Sequence, residues 1–103
     1  MPGPSTSTPL VINAALTGIV PRRSDSPHVP LTPEEIGADA QRCWAAGARI
    51  FHLHVRGSDE GPVWERDAYA KAIRAVKARE PEALICVSTS GRVHRDFGQR
   101  SDV

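Results

Sequence analysis

The sequence predicts an α/β fold in which short parallel strands alternate with helices. Three runs of apolar residues have the length of buried strands, at positions 10–16, 50–56 and 83–89. Two stretches between them, 32–47 and 65–79, carry helical periodicity. The order β-α-β-α-β is that of parallel strands joined by right-handed crossover helices.

The first apolar run, 10–16, lies between Pro9 and the pair Thr17-Gly18. Its nearly continuous apolar character is typical of a strand that is buried on both faces. The next ten residues, 21–30, are rich in proline, arginine and small polar residues, which predicts a loop.

The first helix has clear start and stop signals. Thr32 is placed to be its N-cap, Pro33 occupies the first helical position, and Glu35 stands in capping-box position three residues after the cap. Gly47 is predicted to end the helix in the left-handed conformation. One helical face carries the apolar side chains, namely Ile36, Ala40, Cys43 and Trp44.

The second helix is predicted from Glu65 to Arg79, and Pro81 stops it. Its candidate buried face consists of small apolar residues, namely Ala68, Ala72, Ala75 and Val76. The third strand, 83–89, follows directly and leads into a turn of serine, threonine and glycine at 88–91.

At 103 residues, the chain is one domain at most. Three apolar parallel strands with two helices leave sheet edges and one face open, which is unfavourable for an autonomous domain. We therefore expect residues 1–9 to be a disordered N-terminus and residues 10–103 to be the first part of a larger, truncated α/β domain.

Composition excludes several function classes. Lys and Arg number 13 against 12 Asp and Glu, so no global field recruits nucleic acid or an anionic membrane surface. No segment has the length of a membrane span, and the first nine residues lack the features of a signal peptide. Cys43 and Cys86 form no regular spacing, so we expect two reduced thiols in a cytoplasmic protein.

The second strand carries the residues of greatest chemical interest. Side chains alternate along a strand, so His52 and His54 point to one face while Phe51, Leu53 and Val55 point to the other. Two imidazoles on one face can converge on a single metal ion, and imidazole suits zinc, copper, iron or nickel. A bare His-x-His pattern is also compatible with two ordinary histidines at a strand end.

Further polar residues are predicted at the carboxyl ends of the strands, where parallel α/β folds collect their functional groups. Asn13 is a candidate from the first strand, and Ser88 and Gly91 are candidates from the third. Hydroxyls and backbone N–H groups there can bind a carboxylate or an enolate oxygen. The alternative for residues 88–91 is an ordinary turn. Common motifs for nucleotides, serine hydrolases and zincins are absent from the sequence.

Four segments in this order resemble the β-keto acid cleavage enzymes. They are Asn-Ala-Ala-Leu-Thr-Gly at 13–18, Pro-Leu-Thr-Pro-Glu-Glu-Ile at 30–36, Ala-Gly-Ala-Arg-Ile-Phe-His-Leu-His-Val-Arg at 46–56, and Val-Ser-Thr-Ser-Gly at 87–91. The resemblance extends over residues 10–100. Four ordered motifs at consistent spacing are far more specific than any one of them.

The resemblance implies a zinc-dependent TIM (β/α)₈ barrel, of which this chain holds the first three strands. It also implies that a β-keto acid and acetyl-CoA exchange acyl groups to give acetoacetate and a new acyl-CoA. His52 and His54 match the family's zinc histidines, and Ser88 and Gly91 match positions that hold the substrate. Family members tend to form homo-oligomers.

The chain departs from the family pattern in two ways. Val20 stands where the aminohexanoate-cleaving member has a glutamate that faces the substrate ammonium, which predicts a substrate with an uncharged side chain. The family's third zinc ligand and its acid–base residues come from later strands, so the catalytic residues are expected beyond residue 103, and the chain alone is expected to be inactive.

Two other interpretations of the sequence stay open. The chain is compatible with a non-catalytic, metal-binding fragment that self-associates through its open sheet edges. It is also compatible with another barrel metalloenzyme, such as a hydrolase or an aldolase, that shares the His-x-His strand.

Overall fold

The computed structural model describes residues 9–18, 20–88 and 96–102. The described chain contains strands and helices in the predicted order, followed by a short third helix that the sequence did not predict. In order, they are β1 (Asn13–Ala15), α1 (Pro33–Ala45), β2 (Ile50–Leu53), α2 (Arg66–Arg79), β3 (Leu84–Val87) and α3 (Phe97–Ser101). None of these helices is long and apolar enough to cross a membrane.

The three strands form one parallel sheet in the order β1-β2-β3. His52 of β2 pairs with Ala15 of β1 on one side and with Cys86 of β3 on the other. The strand that carries the two histidines is therefore the central one, and its backbone is fixed by neighbours on both sides.

Helix α1 begins and ends where its sequence signals predict. The Thr32 hydroxyl accepts a hydrogen bond from the Glu35 N–H at 3.2 Å, and the Glu35 carboxylate accepts one from the Thr32 N–H at 2.9 Å. These reciprocal bonds form the predicted capping box. Gly47 has a φ of +115°, so the helix ends in a conformation that favours glycine.

Both helices pack on the same face of the sheet. The core contains Phe51, Leu53 and Val55 from the β2 segment, together with Ile36 of α1 and Val76 of α2. The helices approach each other closely at Gly37, where a Cβ atom would lie 2.8 Å from the backbone oxygen of Ala75. The apolar face of the β2 segment therefore forms the part of the core on which both helices pack.

The prediction that 10–16 forms a strand buried on both faces is wrong. Leu10 and Val11 are 84% and 69% exposed, and β1 has only three residues. Within the described chain, β1 is an edge strand, and the two long helices cover only one face of the sheet, so its side chains have few partners. For the same reason Leu84 in β3 is 60% exposed.

The segment 96–102, which contains α3, contacts the start of α2. Asp102 accepts a hydrogen bond from the Arg66 N–H at 2.8 Å, and the Arg66 Nε donates to the Asp102 backbone oxygen at 3.1 Å. Glu65, the N-cap of α2, makes no side-chain capping bond. The Asp102 carboxylate therefore caps α2 from 36 residues away.

Candidate functional site

His52 lies on the central strand β2 and His54 directly follows that strand, with the two rings close together. Their ring centroids are 5.0 Å apart, with an interplanar angle of 60°. Both side chains are half-buried, whereas Phe51 and Leu53 between and beside them are buried against the helices. Strand alternation thus separates an apolar face from a face with two adjacent imidazoles, as the sequence predicts.

The surroundings of His54 favour its neutral form. Burial lowers the pKa of His54, and the neighbouring His52 and Arg56 lower it further. A neutral imidazole has the free lone pair that a metal ion requires, so His54 is available as a ligand at neutral pH.

The described residues supply only part of a metal site. No group of three or more His, Cys, Asp or Glu side chains in this part of the chain is arranged to hold one metal ion. A catalytic zinc usually has three protein ligands and an open position. The two imidazoles have the donor chemistry of two such ligands.

Ser88 lies at the level of His54 at the carboxyl edge of the sheet. Leu53 and Val87 form the last paired position of β2 and β3, and His54 and Ser88 each follow by one residue. Ser88 is half-buried. The two candidate groups therefore leave neighbouring strands at the same edge.

The other predicted substrate positions are placed differently. Asn13 begins β1 and pairs with Ile50, so it lies at the amino end of the sheet rather than at the predicted carboxyl end. His54 lies four positions after Ile50, which corresponds to about 13 Å along a strand. Val20 lies in the loop after β1 and is 64% exposed, and Gly91 lies outside the described residues.

The burial of Arg56 was not predicted from the sequence. Its side chain is only 7% exposed, and its guanidinium donates to the backbone oxygens of Gly18 and Glu60. Burial lowers the pKa of Arg56, and the nearby Arg22 lowers it further. The sequence does place Arg56 two residues after His54, and in an extended chain residues two apart point to the same face.

The loop after β1 is attached to the rest of the fold at several points. The buried Thr17 hydroxyl donates to the backbone oxygen of Pro30 at 2.6 Å and closes the base of the loop. Arg22 donates to the backbone oxygen of Asp59 at 3.0 Å, and Arg23 pairs with Glu35 of α1. These two arginines are therefore exposed but partnered.

Comparison with known proteins assigns the chain to a family. The sequence profile of the β-keto acid cleavage enzymes matches residues 9–103. The chain is 40% identical to the 3-oxoadipate:acetyl-CoA acetyltransferase of Cupriavidus necator and 39% identical to the 3-keto-5-aminohexanoate cleavage enzyme of Fusobacterium nucleatum, each over 84 residues. These alignments cover 82% of this chain but only 30% and 31% of the relatives.

A solved structure shares the fold of this chain. The ternary complex of ObcA with a C4-CoA adduct and oxalate superimposes on 74% of this chain and 19% of its own, with a TM-score of 0.59 and 35% identity. Three parallel strands with their helices are common to both. The chain therefore belongs to the β-keto acid cleavage enzyme family and spans about a third of the length of its curated relatives.

Proposed function

We propose that this chain is the metal-binding, N-terminal part of a (β/α)₈ barrel enzyme that cleaves a β-keto acid with acetyl-CoA as co-substrate. The observation that carries the proposal is the histidine pair on the central strand of a chain whose family match runs from residue 9 to residue 103. The names of the relatives, which include an acetyl-CoA acetyltransferase and a cleavage enzyme, support the reaction class.

The proposed reaction exchanges acyl groups. The bond between the α and β carbons of the keto acid breaks, and the acyl group passes to the thiol sulfur of coenzyme A. The two-carbon acid that remains takes the acetyl group of acetyl-CoA, so that acetoacetate and a new acyl-CoA are formed. The catalytic acid–base residues for these steps are proposed to lie beyond residue 103.

In this proposal, His52 and His54 hold a divalent metal ion, zinc in the first instance, whose charge polarises the keto oxygen of the substrate when it is bound. Their placement on one face, with the rings 5.0 Å apart, supports this role. Ser88 binds the substrate carboxylate or keto oxygen with its hydroxyl, supported by its place beside His54 at the sheet edge. Gly91 contributes a backbone N–H.

Val20 and Asn13 are proposed as outer positions of the substrate site. Val20 is exposed and apolar, and it lies in a loop fastened to the turn after β2. An apolar side chain at this position favours a keto acid with an uncharged side chain, because an ammonium group there would have no carboxylate partner. Asn13 is the weaker candidate, since it lies at the amino end of β1.

The proposal extends to assembly and location. The exposed apolar side chains of Leu10, Val11 and Leu84 support burial against further strands or further copies in a homo-oligomer. The two free thiols, Cys43 and Cys86, support a cytoplasmic location, where cysteines stay reduced.

The test has a metal arm and an activity arm. Mass spectrometry of the purified chain should find zinc that disappears in the His52→Ala, His54→Ala double variant and stays in His28→Ala, which changes an exposed loop histidine. Residues 9–103 should then replace the matching segment of the Cupriavidus relative. The chimera should convert a β-keto acid and acetyl-CoA to acetoacetate, and the same double variant should abolish this activity.

Two results would count against the proposal. A chimera that folds and keeps full activity without both histidines would exclude their role in the reaction. A chimera that folds, binds zinc through the pair and fails with every β-keto acid would favour a metal-binding fragment instead. Turnover without acetyl-CoA would favour a hydrolase or an aldolase.

A further inference from the structure

Arg56 connects two loops that otherwise belong to different β/α units. Its Nε and Nη2 atoms donate to the backbone oxygen of Gly18 at 3.3 and 3.0 Å, and its Nη1 donates to the backbone oxygen of Glu60 at 2.8 Å. Gly18 and Arg56 are 38 residues apart in sequence. The guanidinium thus bonds the loop that follows β1 to the turn that follows β2.

The burial of this charge shows that the connection is specific. Among the described residues, Arg56 is the only charged residue that is buried. None of the ion pairs described for these residues includes it, and its bonds go to backbone oxygens. A buried guanidinium needs acceptors that are already in place, so Arg56 and these carbonyl groups hold one another in a single arrangement.

Arg56 lies between two parts of the candidate site, namely the histidine pair and the loop that contains Val20. It follows His54 by two residues, and Gly18, whose oxygen it binds, precedes Val20 by two. Gly18 has a φ of +71°, a left-handed conformation that glycine adopts readily and that occurs in tight turns. Two further bonds between the same loops, from Arg22 to the Asp59 oxygen and from the Arg23 N–H to the Glu60 carboxylate, run in parallel with the Arg56 bonds.

We infer that Arg56 is a positioning residue that sets the loop bearing Val20 against the strand bearing His52 and His54. In the completed site, it fixes the distance between the metal ligands and the side chain that contacts the variable part of the substrate. It touches neither metal nor substrate. This role rests on the proposed function, whereas the coupling between the loops stands without it.

The first test measures the loop directly in the 103-residue chain. The N–H groups of Asp25 and Ser26 both donate to the Arg22 oxygen, at 2.9 and 3.1 Å, and report on the order of the loop. Arg56→Lys keeps the positive charge but loses the several N–H donors of the guanidinium group. In this variant, the amides of Asp25 and Ser26 should exchange with deuterium at least about tenfold faster. Amides of the α1–α2 core should be unchanged.

Arg49→Lys is the matched control. Arg49 also donates to two backbone oxygens, those of Trp44 and Ala48 at 2.9 Å each, but both are local and neither lies in the loop. Exchange at Asp25 and Ser26 should be the same in this variant as in the unmodified chain. Faster exchange in both variants, or in neither, would overturn the coupling.

A second measurement separates positioning from stability. Cu²⁺ bound by His52 and His54 broadens the NMR signals of nearby amides, and the broadening falls steeply with distance. Gly18 and Val20 should be broadened in the unmodified chain and clearly less so in Arg56→Lys, with Leu53 broadened equally in both. Equal broadening of the loop in both proteins would overturn the positioning role, whereas no broadening at Leu53 would count against the histidine site alone.

If Arg56→Lys does not fold, a measurement on the unmodified chain still tests the inference. The Arg56 Nε–H should give a separate nitrogen-detected signal with slow exchange, whereas the exposed Arg49 should exchange fast. A rapidly exchanging Arg56 guanidinium would overturn the inference without any substitution.

Discussion

His52 and Cys86 are paired across the parallel register of β2 and β3, so their side chains project from the same face of the sheet. Cys86 is exposed and reduced. A thiol beside the candidate metal site is a convenient reporter of what binds there.

We predict that iodoacetamide modifies Cys86 at least about tenfold faster than Cys43. Cys43 is partly buried, and burial, together with the Asp39 carboxylate, raises the pKa of its thiol, which reduces its reactive thiolate. Zinc should slow the reaction at Cys86 and leave Cys43 unaffected, as measured by mass spectrometry of the digested protein.

The His52→Ala, His54→Ala variant is the control for this protection. Zinc that shields Cys86 equally well in the variant would show that the metal binds elsewhere.

Val20→Glu is predicted to change the preferred substrate. In the chimera with the Cupriavidus relative, the glutamate should raise kcat/KM for an amino-bearing β-keto acid at least about tenfold relative to an alkyl β-keto acid, since it supplies a partner for the ammonium. Val20→Gln is the matched uncharged control. An unchanged ratio of the two kcat/KM values would place Val20 outside the substrate site.

The contact between the two long helices predicts a destabilising effect of Gly37→Ala. The new Cβ would lie 2.8 Å from the backbone oxygen of Ala75, so the helices must separate. We expect a loss of about 1–3 kcal/mol in the free energy of unfolding, even though alanine favours helix formation. Urea unfolding followed by circular dichroism measures this loss.

Gly98→Ala provides the comparison, because the Cβ there would meet only the flexible side chain of Asp96, at 3.0 Å. Equal stability of Gly37→Ala and the unmodified chain would mean that the helices are less closely packed in solution.

The start of α1 predicts a pH-dependent contribution to stability. The hydrogen bond from Arg23 and the N–H groups of Thr32 and Leu31 lower the pKa of Glu35 from 4.5 to about 2. A carboxyl group with a lowered pKa stabilises the fold above its unfolded pKa, and this contribution is lost as the pH falls through the folded value. The sensitive range therefore lies between pH 4.5 and about 2.

Glu35→Gln should lower the free energy of unfolding by at most about 1 kcal/mol at pH 7, because the amide oxygen can still accept the capping bonds and the exposed ion pair with Arg23 adds little. The difference between the two proteins should shrink as the pH is lowered from 5 to about 2. A difference that is constant over this range would assign the effect to packing rather than charge. Glu34→Gln, one residue earlier and exposed, controls for the loss of a charge.

The hydrogen bond between Asp102 and the first residue of α2 predicts a measurable contribution to stability. Asp102→Ala removes the acceptor for the Arg66 N–H and should cost about 0.5–1 kcal/mol of stability. Asp102→Asn should recover most of this loss, because the amide oxygen can still accept the bond. Identical urea midpoints for Asp102→Ala and the unmodified chain would exclude the capping role.

The sequence predicted the parts of the fold that local chemistry determines. The capping box at Thr32 and the left-handed Gly47 were correct because each is decided by residues within one turn of helix. The facing of His52 and His54 was correct because alternation is a property of any strand. The family match over residues 9–103 confirmed the resemblance to the β-keto acid cleavage enzymes.

What the sequence could not give depends on contacts distant along the chain. Leu10 and Val11 are exposed because they precede the edge strand β1, outside the paired part of the sheet, and an apolar run cannot reveal this. The burial of Arg56 depends on its hydrogen bond to the Gly18 oxygen, which is 38 residues away in sequence, so the residues around Arg56 do not reveal it. Asn13 was misplaced because the strand begins three residues later than its apolar pattern suggests.

The order of the strands in the sheet has a consequence for how this protein is made. Because β1, β2 and β3 are neighbours in the order in which they are synthesised, each strand leaving the ribosome meets an edge that is already present. The histidine strand is flanked on both sides as soon as β3 emerges. A nascent chain from which β3 has emerged thus already carries its two imidazoles on, and directly after, a strand that is paired on both sides.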